Sequence, residues 1–149
     1  MGFLAKIMST HADGGTTYNK FTLLSSDSSS DATIADYVVE QGTDGIWTYR
    51  KWSSGRAECW GEQLFSNQAV DTAWGNAYYA DLGTISFPFE FKSRPMGNIF
   101  AMSTSARVWA IESTNRSKSA TGSIYAVAPA SYPSIASITV YLYVAGKWK

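Results

Sequence analysis

From residue 34 onward the chain repeatedly alternates apolar and polar positions with a period of two, the pattern of half-buried strands. Ile34-Ala35-Asp36-Tyr37-Val38-Val39-Glu40-Gln41 is dense in β-branched and aromatic residues and predicts a strand. Gly42-Thr43-Asp44-Gly45 follows, and its Asp-Gly pair predicts a hairpin turn because both residues tolerate positive φ. In the next strand, residues 46–52, Trp47, Tyr49 and Lys51 face one way and Thr48, Arg50 and Trp52 the other. Ser53-Ser54-Gly55 turns the chain into residues 56–60, with Ala57 and Cys59 on one face and Arg56, Glu58 and Trp60 on the other. Three strands joined by short turns make an antiparallel meander.

Residues 61–73 break the alternation. Leu64, Phe65, Ala69, Val70 and Ala73 give partial helical spacing, interrupted by Asn67 and Asp71, and predict a long connection with one short helical turn. Strand patterns resume at residues 76–80. Thr84-Ile85-Ser86-Phe87-Pro88-Phe89-Glu90-Phe91 places Ile85, Phe87, Phe89 and Phe91 on one core-covering face, with Pro88 marking a sheet edge or bulge. Further strands are expected at 96–102, 107–112, 122–128 and 135–144, separated by polar loops at 113–119 and 130–134. In the last strand Ile138, Val140, Leu142 and Val144 share a face, and Tyr141 and Tyr143 share the opposite one. Many short strands with turns at this spacing predict an all-β sandwich or barrel over residues 36–149.

Residues 1–35 differ. Ser25-Ser26-Asp27-Ser28-Ser29-Ser30-Asp31 is a polar low-complexity run, Asp13-Gly14-Gly15 a joint, and residues 18–24 one short strand. This segment reads as an N-terminal neck or linker, in which Phe3, Leu4 and Ile7 could help subunits associate.

Composition narrows the function. Twelve Lys+Arg balance twelve Asp+Glu, and charged residues make up only 16% of the chain, against roughly 25% in an average soluble protein. Zero net charge argues against a nucleic-acid partner, and without an 18-residue apolar run no membrane insertion is expected. The single Cys59 allows no internal disulfide, and the first residues lack a signal peptide's apolar stretch. A soluble chain made in a cytoplasm is the expectation. Few charges suit a surface partly hidden in an oligomer, and the aromatic content of 15% suits neutral ligands such as sugars.

Catalysis finds few parts. The one histidine, His11, lies in the neck, which leaves the main domain without a Ser-His or Cys-His pair. Cys59 reads as a packed thiol, and no ligand-spaced cluster suggests a metal; Asp27 and Asp31 come nearest, in the Ser-rich linker. No cofactor is implied. A glycosidase needs only two carboxylates, for which Glu40, Glu58, Glu62, Asp81, Glu90 and Glu112 are the candidates, but Glu58 is expected to form a cross-strand ion pair with Arg50. The expectation is a non-enzyme. Sugar binding asks for flat rings beside polar side chains. Two clusters offer them: Trp74 and Asn76 with Tyr78 and Tyr79, and Arg107 and Trp109 with Glu112, Asn115 and Arg116.

One stretch is more specific. Val39-Glu40-Gln41-Gly42-Thr43, Trp47-Thr48-Tyr49-Arg50-Lys51-Trp52 and Ser54-Gly55-Arg56-Ala57-Glu58-Cys59-Trp60-Gly61 resemble the C-terminal head of phage and prophage tail proteins from Gram-positive hosts. Val144-Ala145-Gly146-Lys147-Trp148-Lys149 looks like that family's usual last strand, with Lys147 where an Arg is common and Tyr143-Val144 where a His-Ala pair is frequent. Gly83-Thr84-Ile85-Ser86-Phe87-Pro88 and residues 117–125 fit as well, so the likeness spans residues 36–149. Phe87-Pro88-Phe89-Glu90-Phe91-Lys92-Ser93-Arg94-Pro95 also resembles, more weakly, the H-type lectin pattern of jelly-roll protomers that trimerise. These resemblances imply a homotrimeric, jelly-roll-like receptor-binding head at a virion tail tip that adheres to host cell-surface glycan without catalysis. A structural tail or baseplate module contacting other virion proteins is the alternative, and a glycan depolymerase is a third reading.

Overall fold

A computed structural model describes residues 6–10, 18–22 and 36–149. Its strands, in chain order, are β1 (Lys6–Thr10), β2 (Tyr18–Thr22), β3 (Val38–Asp44), β4 (Trp47–Trp52), β5 (Arg56–Val70), β6 (Thr72–Trp74), β7 (Ala77–Gly83), β8 (Met96–Met102), β9 (Trp109–Glu112), β10 (Ile124–Ala128) and β11 (Tyr132–Lys147). β1 and β2 pair antiparallel, so the strand expected at 18–24 has a partner that the sequence reading did not provide. His11, Asp27, Asp31, Phe3 and Leu4 lie outside the described residues.

The remaining strands form two antiparallel sheets, ordered β3-β4-β5-β11-β8 and β6-β7-β10-β9. The meander β3-β4-β5 is as expected. Its first turn differs in detail: Asp44 still pairs with Trp47, so Gly45 and Ile46 are the two central residues. Gly45 alone takes positive φ, at 56°, the sign pattern of a II′ hairpin. Pairing in the rest of the chain is nested. β5 lies beside β11, β7 beside β10, and β8 and β9 flank these pairs on opposite sheets.

The inward faces follow the alternation. Ala57 and Cys59 on β5, and Ile138, Val140, Leu142 and Val144 on β11, are all no more than 4% exposed. They share one core with Ile124, Ala126 and Ala128 of β10, so the two sheets bury their apolar sides against each other. Trp47, 4% exposed, joins them, and its indole N–H donates to the Ser86 carbonyl at 2.7 Å.

Two expectations fail. Residues 61–70 are not a connection with a helical turn, because β5 runs unbroken through them, paired to β11 as far as Val70. The alternation was obscured by a change of phase. The more buried positions are odd-numbered up to Phe65 and even-numbered from Gln68 to Val70, with Asn67 at φ 53° between them. β11 changes phase opposite, between Ile135 and Ile138, so both strands bend together. Past this bend only Asp71 separates β5 from β6 of the other sheet, as where a chain turns a sandwich corner.

The second failure is residues 84–91, which form no strand beyond an isolated bridge from Ser86 to Ala120. Pro88 has no N–H to give a ladder. Phe87 and Phe91 instead donate their amides to the carbonyls of Ser119 and Lys118, at 2.7 and 2.9 Å. Their side chains still cover the core as the alternation predicts, in an aromatic chain Trp47–Phe87–Phe91–Phe89 with centroids 4.8–5.8 Å apart.

Residues 147–149 lock onto the meander. The Trp148 amide donates to the Gly55 carbonyl at 3.0 Å and its indole N–H to the Trp52 carbonyl at 3.2 Å. Gly55, at φ 86°, turns the chain beneath Lys149, where a side chain would press on that residue's carbonyl.

Candidate functional site

The outer face of the four-stranded sheet carries a row of rings. Ladder partners point to the same side of a sheet. Tyr79 pairs with Thr72 of β6 and with Val127 of β10, and Val127 pairs with Trp109 of β9. Tyr125, two residues before Val127, stacks on Tyr79 with centroids 4.7 Å apart and planes 18° from parallel. Trp74 meets Tyr79 edge to face at 6.3 Å. The tyrosines therefore spend much of their faces on each other and on Trp74. Trp74 and Trp109 stay open to solvent, 55% and 45% exposed, on the two rim strands about 14 Å apart across three strand spacings.

The two clusters marked in the sequence thus share one sheet, at opposite rims. Asn76 is exposed in the turn that Gly75, at φ 59°, makes after Trp74. Tyr78 departs from the group, because it points to the other side and packs against the core. Arg107 and Asn115 are exposed on either side of β9. Glu112 and Arg116 are engaged with each other. Arg116 Nε donates to Glu112 Oε1 at 2.9 Å and Nη2 lies 2.5 Å from Oε2, while the Gly122 amide adds a third bond at 3.0 Å. With side chains only 15% and 10% exposed, the pair braces the loop between β9 and β10. Tyr125 was missed, although its place in an expected strand beside Ala126 gave its outward direction.

The outer face of the five-stranded sheet holds a second ring-lined feature, a depression of about 440 Å³. Two adjacent ladder rows build it. One runs Thr48–Trp60–Tyr143–Asn98 and the next Glu62–Tyr141–Phe100. Phe100 stacks on Tyr141 at 4.8 Å and 12°. The Arg50 guanidinium lies 5.3 Å from the Trp60 ring centroid. Arg50 is the ladder partner of Glu58, yet the expected ion pair gives way to this ring contact, and Glu58 instead accepts the Tyr143 hydroxyl at 2.6 Å. That bond, with partial burial, holds the Tyr143 hydroxyl above the usual phenol range. Beside the depression, Leu64, Met96 and Met102 are 55%, 82% and 58% exposed. The outward tyrosines of β11 were read from the sequence. What pattern alone did not show is that β8 is their neighbour, bringing Phe100 and Asn98 alongside.

No family model matches the chain, and no curated protein matches it. Among solved structures it is similar to an N-truncated R1-type pyocin tail fibre, at 10% sequence identity and a TM-score of 0.49, over 76% of this chain and 86% of that one.

Four of the six candidate carboxylates, Glu40, Glu58, Asp81 and Glu112, are held by neighbours. Glu40 accepts Lys51 and Tyr49, and Asp81 accepts the Ser123 hydroxyl and the Gly83 amide, both at 2.8 Å. Glu58 and Glu62 share a strand face, their backbones about 13 Å apart along β5. Burial pushes the Cys59 thiol up to about 12, with the Glu58 charge adding to it. Among the described residues no group of three or more His, Cys, Asp or Glu could hold a metal ion.

Proposed function

We propose that this protein is a receptor-binding module of a phage or prophage tail, placed at the tail tip, that adheres to neutral glycan on the host surface. The host is Gram-positive on the strength of the meander motif. The observation that carries the glycan reading is the pair of exposed tryptophans, Trp74 and Trp109, at the rims of one sheet face, with the exposed Asn76 two residues after the first and the exposed Arg107 two residues before the second. An indole covers a pyranose's apolar side while such polar groups and bridging water read its hydroxyls. The nested strand pairing supports the jelly-roll-like, lectin-like part of the reading.

A homotrimer completes it. A single shallow sugar site binds weakly, and three on one rigid tip raise avidity by roughly 10²–10⁴. The exposed Met96 and Met102 of rim strand β8 support subunit contact. They equally favour contact with other tail or baseplate proteins, the second reading. A glycan array and a host cell-wall pull-down test the proposal. Trp74→Ala and Trp109→Ala should each lower binding at least about tenfold with the melting temperature unchanged. Wall binding that survives both substitutions, or binding to tail proteins alone, overturns it. Light scattering after size exclusion should give three copies per particle at micromolar concentration.

A further inference from the structure

We propose that the depression on the five-stranded sheet is a second, separate site, and that it takes a small ligand through an ammonium group. It does not depend on the glycan face, which lies on the other sheet. Among the lining residues only Glu62 carries a formal charge. Beside its walls stand the Glu58 carboxylate, held by Tyr143, and two guanidiniums, Arg50 laid over Trp60 and Arg56 over Trp52, the latter close enough for its charge to act on the Tyr143 hydroxyl. An anion would therefore meet two carboxylates, with both neighbouring guanidiniums already laid over indole rings.

The rings select in the same direction. Tyr141 sits in its ladder row between Phe100 and Glu62. Phe100 takes one of its faces. What Tyr141 leaves to the depression is the side toward Glu62. A cation there gains the quadrupole of a ring and the charge of a carboxylate together. Arg50 over Trp60 shows a cation in the same kind of ring contact one row away. Thr48 and Asn98, on the opposite strands of the row, supply hydroxyl and amide groups for the uncharged remainder of the ligand. The chemical class is thus a primary or quaternary ammonium on a small, otherwise neutral body, such as an amino sugar or a choline ester.

The test titrates the full chain with choline chloride, and separately with its uncharged isostere 3,3-dimethyl-1-butanol, at matched ionic strength. The indole N–H resonance of Trp60 is followed by NMR. Choline should shift it saturably, with the neutral isostere at least about tenfold weaker. Glu62→Gln should weaken choline by about tenfold without changing the melting temperature. Equal response to both probes, or indifference to Glu62→Gln, overturns the proposal. So does the absence of a saturable choline shift, whether the chain runs as a monomer or as an oligomer that Phe100→Asp takes apart, the latter meaning that a second copy covers the depression.

Discussion

The Lys51 ammonium lies 5.4 Å from the Trp148 ring centroid, joining the second strand of the meander to the residue next to the last in the chain. The same ammonium is 4.7 Å from the Phe89 ring and 5.5 Å from that of Tyr49, and reaches both Glu40 oxygens at 3.0 and 3.1 Å. One side chain, 14% exposed, thus ties β3, β4, the Pro88 segment and residues 147–149. Lys51→Met keeps the stem and removes the charge. It should cost about 1–3 kcal/mol, as a half-buried pair and its ring contacts are lost. Urea titration gives the number, and Glu40→Gln in the Lys51→Met background should add little further if the two act as a unit.

Gly61 ends the tryptophan-rich motif for a steric reason. A Cβ there would stand 2.1 Å from the Ile46 carbonyl oxygen, which is backbone and has nowhere to yield. Gly61→Ala should destabilise by about 3 kcal/mol or more, whereas Gly45→Ala, with open space around it, should cost only the strain of positive φ, about 1 kcal/mol. Thermal melts of the two variants should fall in that order.

Cys59 is 0% exposed and should resist Ellman's reagent at pH 8 until denaturant is added, then release one thiol's worth of colour. Its folded pKa is raised from near 9 to about 12, so between those values the unfolded chain holds fewer protons than the folded one. Stability is then full below pH 9 and falls as pH rises toward 12. Cys59→Ala should make that decline shallower.

Arg116→Ala leaves the Glu112 carboxylate with only the Gly122 amide in a partly buried place. A loss of about 2–3 kcal/mol is expected, with faster amide exchange in residues 113–121. Glu112→Gln with Arg116→Gln should recover part of it, since no charge is then left unpaired.

Much of the fold was legible because period-two alternation states directly which side of a strand is buried. It placed Ala57 and Cys59 inside, sorted the Val140 and Tyr141 sides of β11, and put Phe87 and Phe91 over the core. It failed where the backbone changes phase. Around Asn67 two alternating runs meet out of step, which in one dimension resembles a broken helix. Pattern also says nothing of which strands become neighbours. Trp74 and Trp109 were picked out for their chemistry, but that they share a face, with Tyr125 between, follows from the β6-β7-β10-β9 order. Glu112 and Arg116 were picked out as polar partners of a sugar beside Trp109, because their mutual attachment depends on the shape of the loop between β9 and β10.

The long ladder of β5 with β11 bears on how the molecule carries load. Its hydrogen bonds lie across the strands, so tension along Arg56–Val70 and Tyr132–Lys147 shears many of them at once instead of peeling them singly. Because β5 passes into β6 through one residue, the same cable runs from one sheet into the other. A pull on either sheet is therefore spread along the whole ladder.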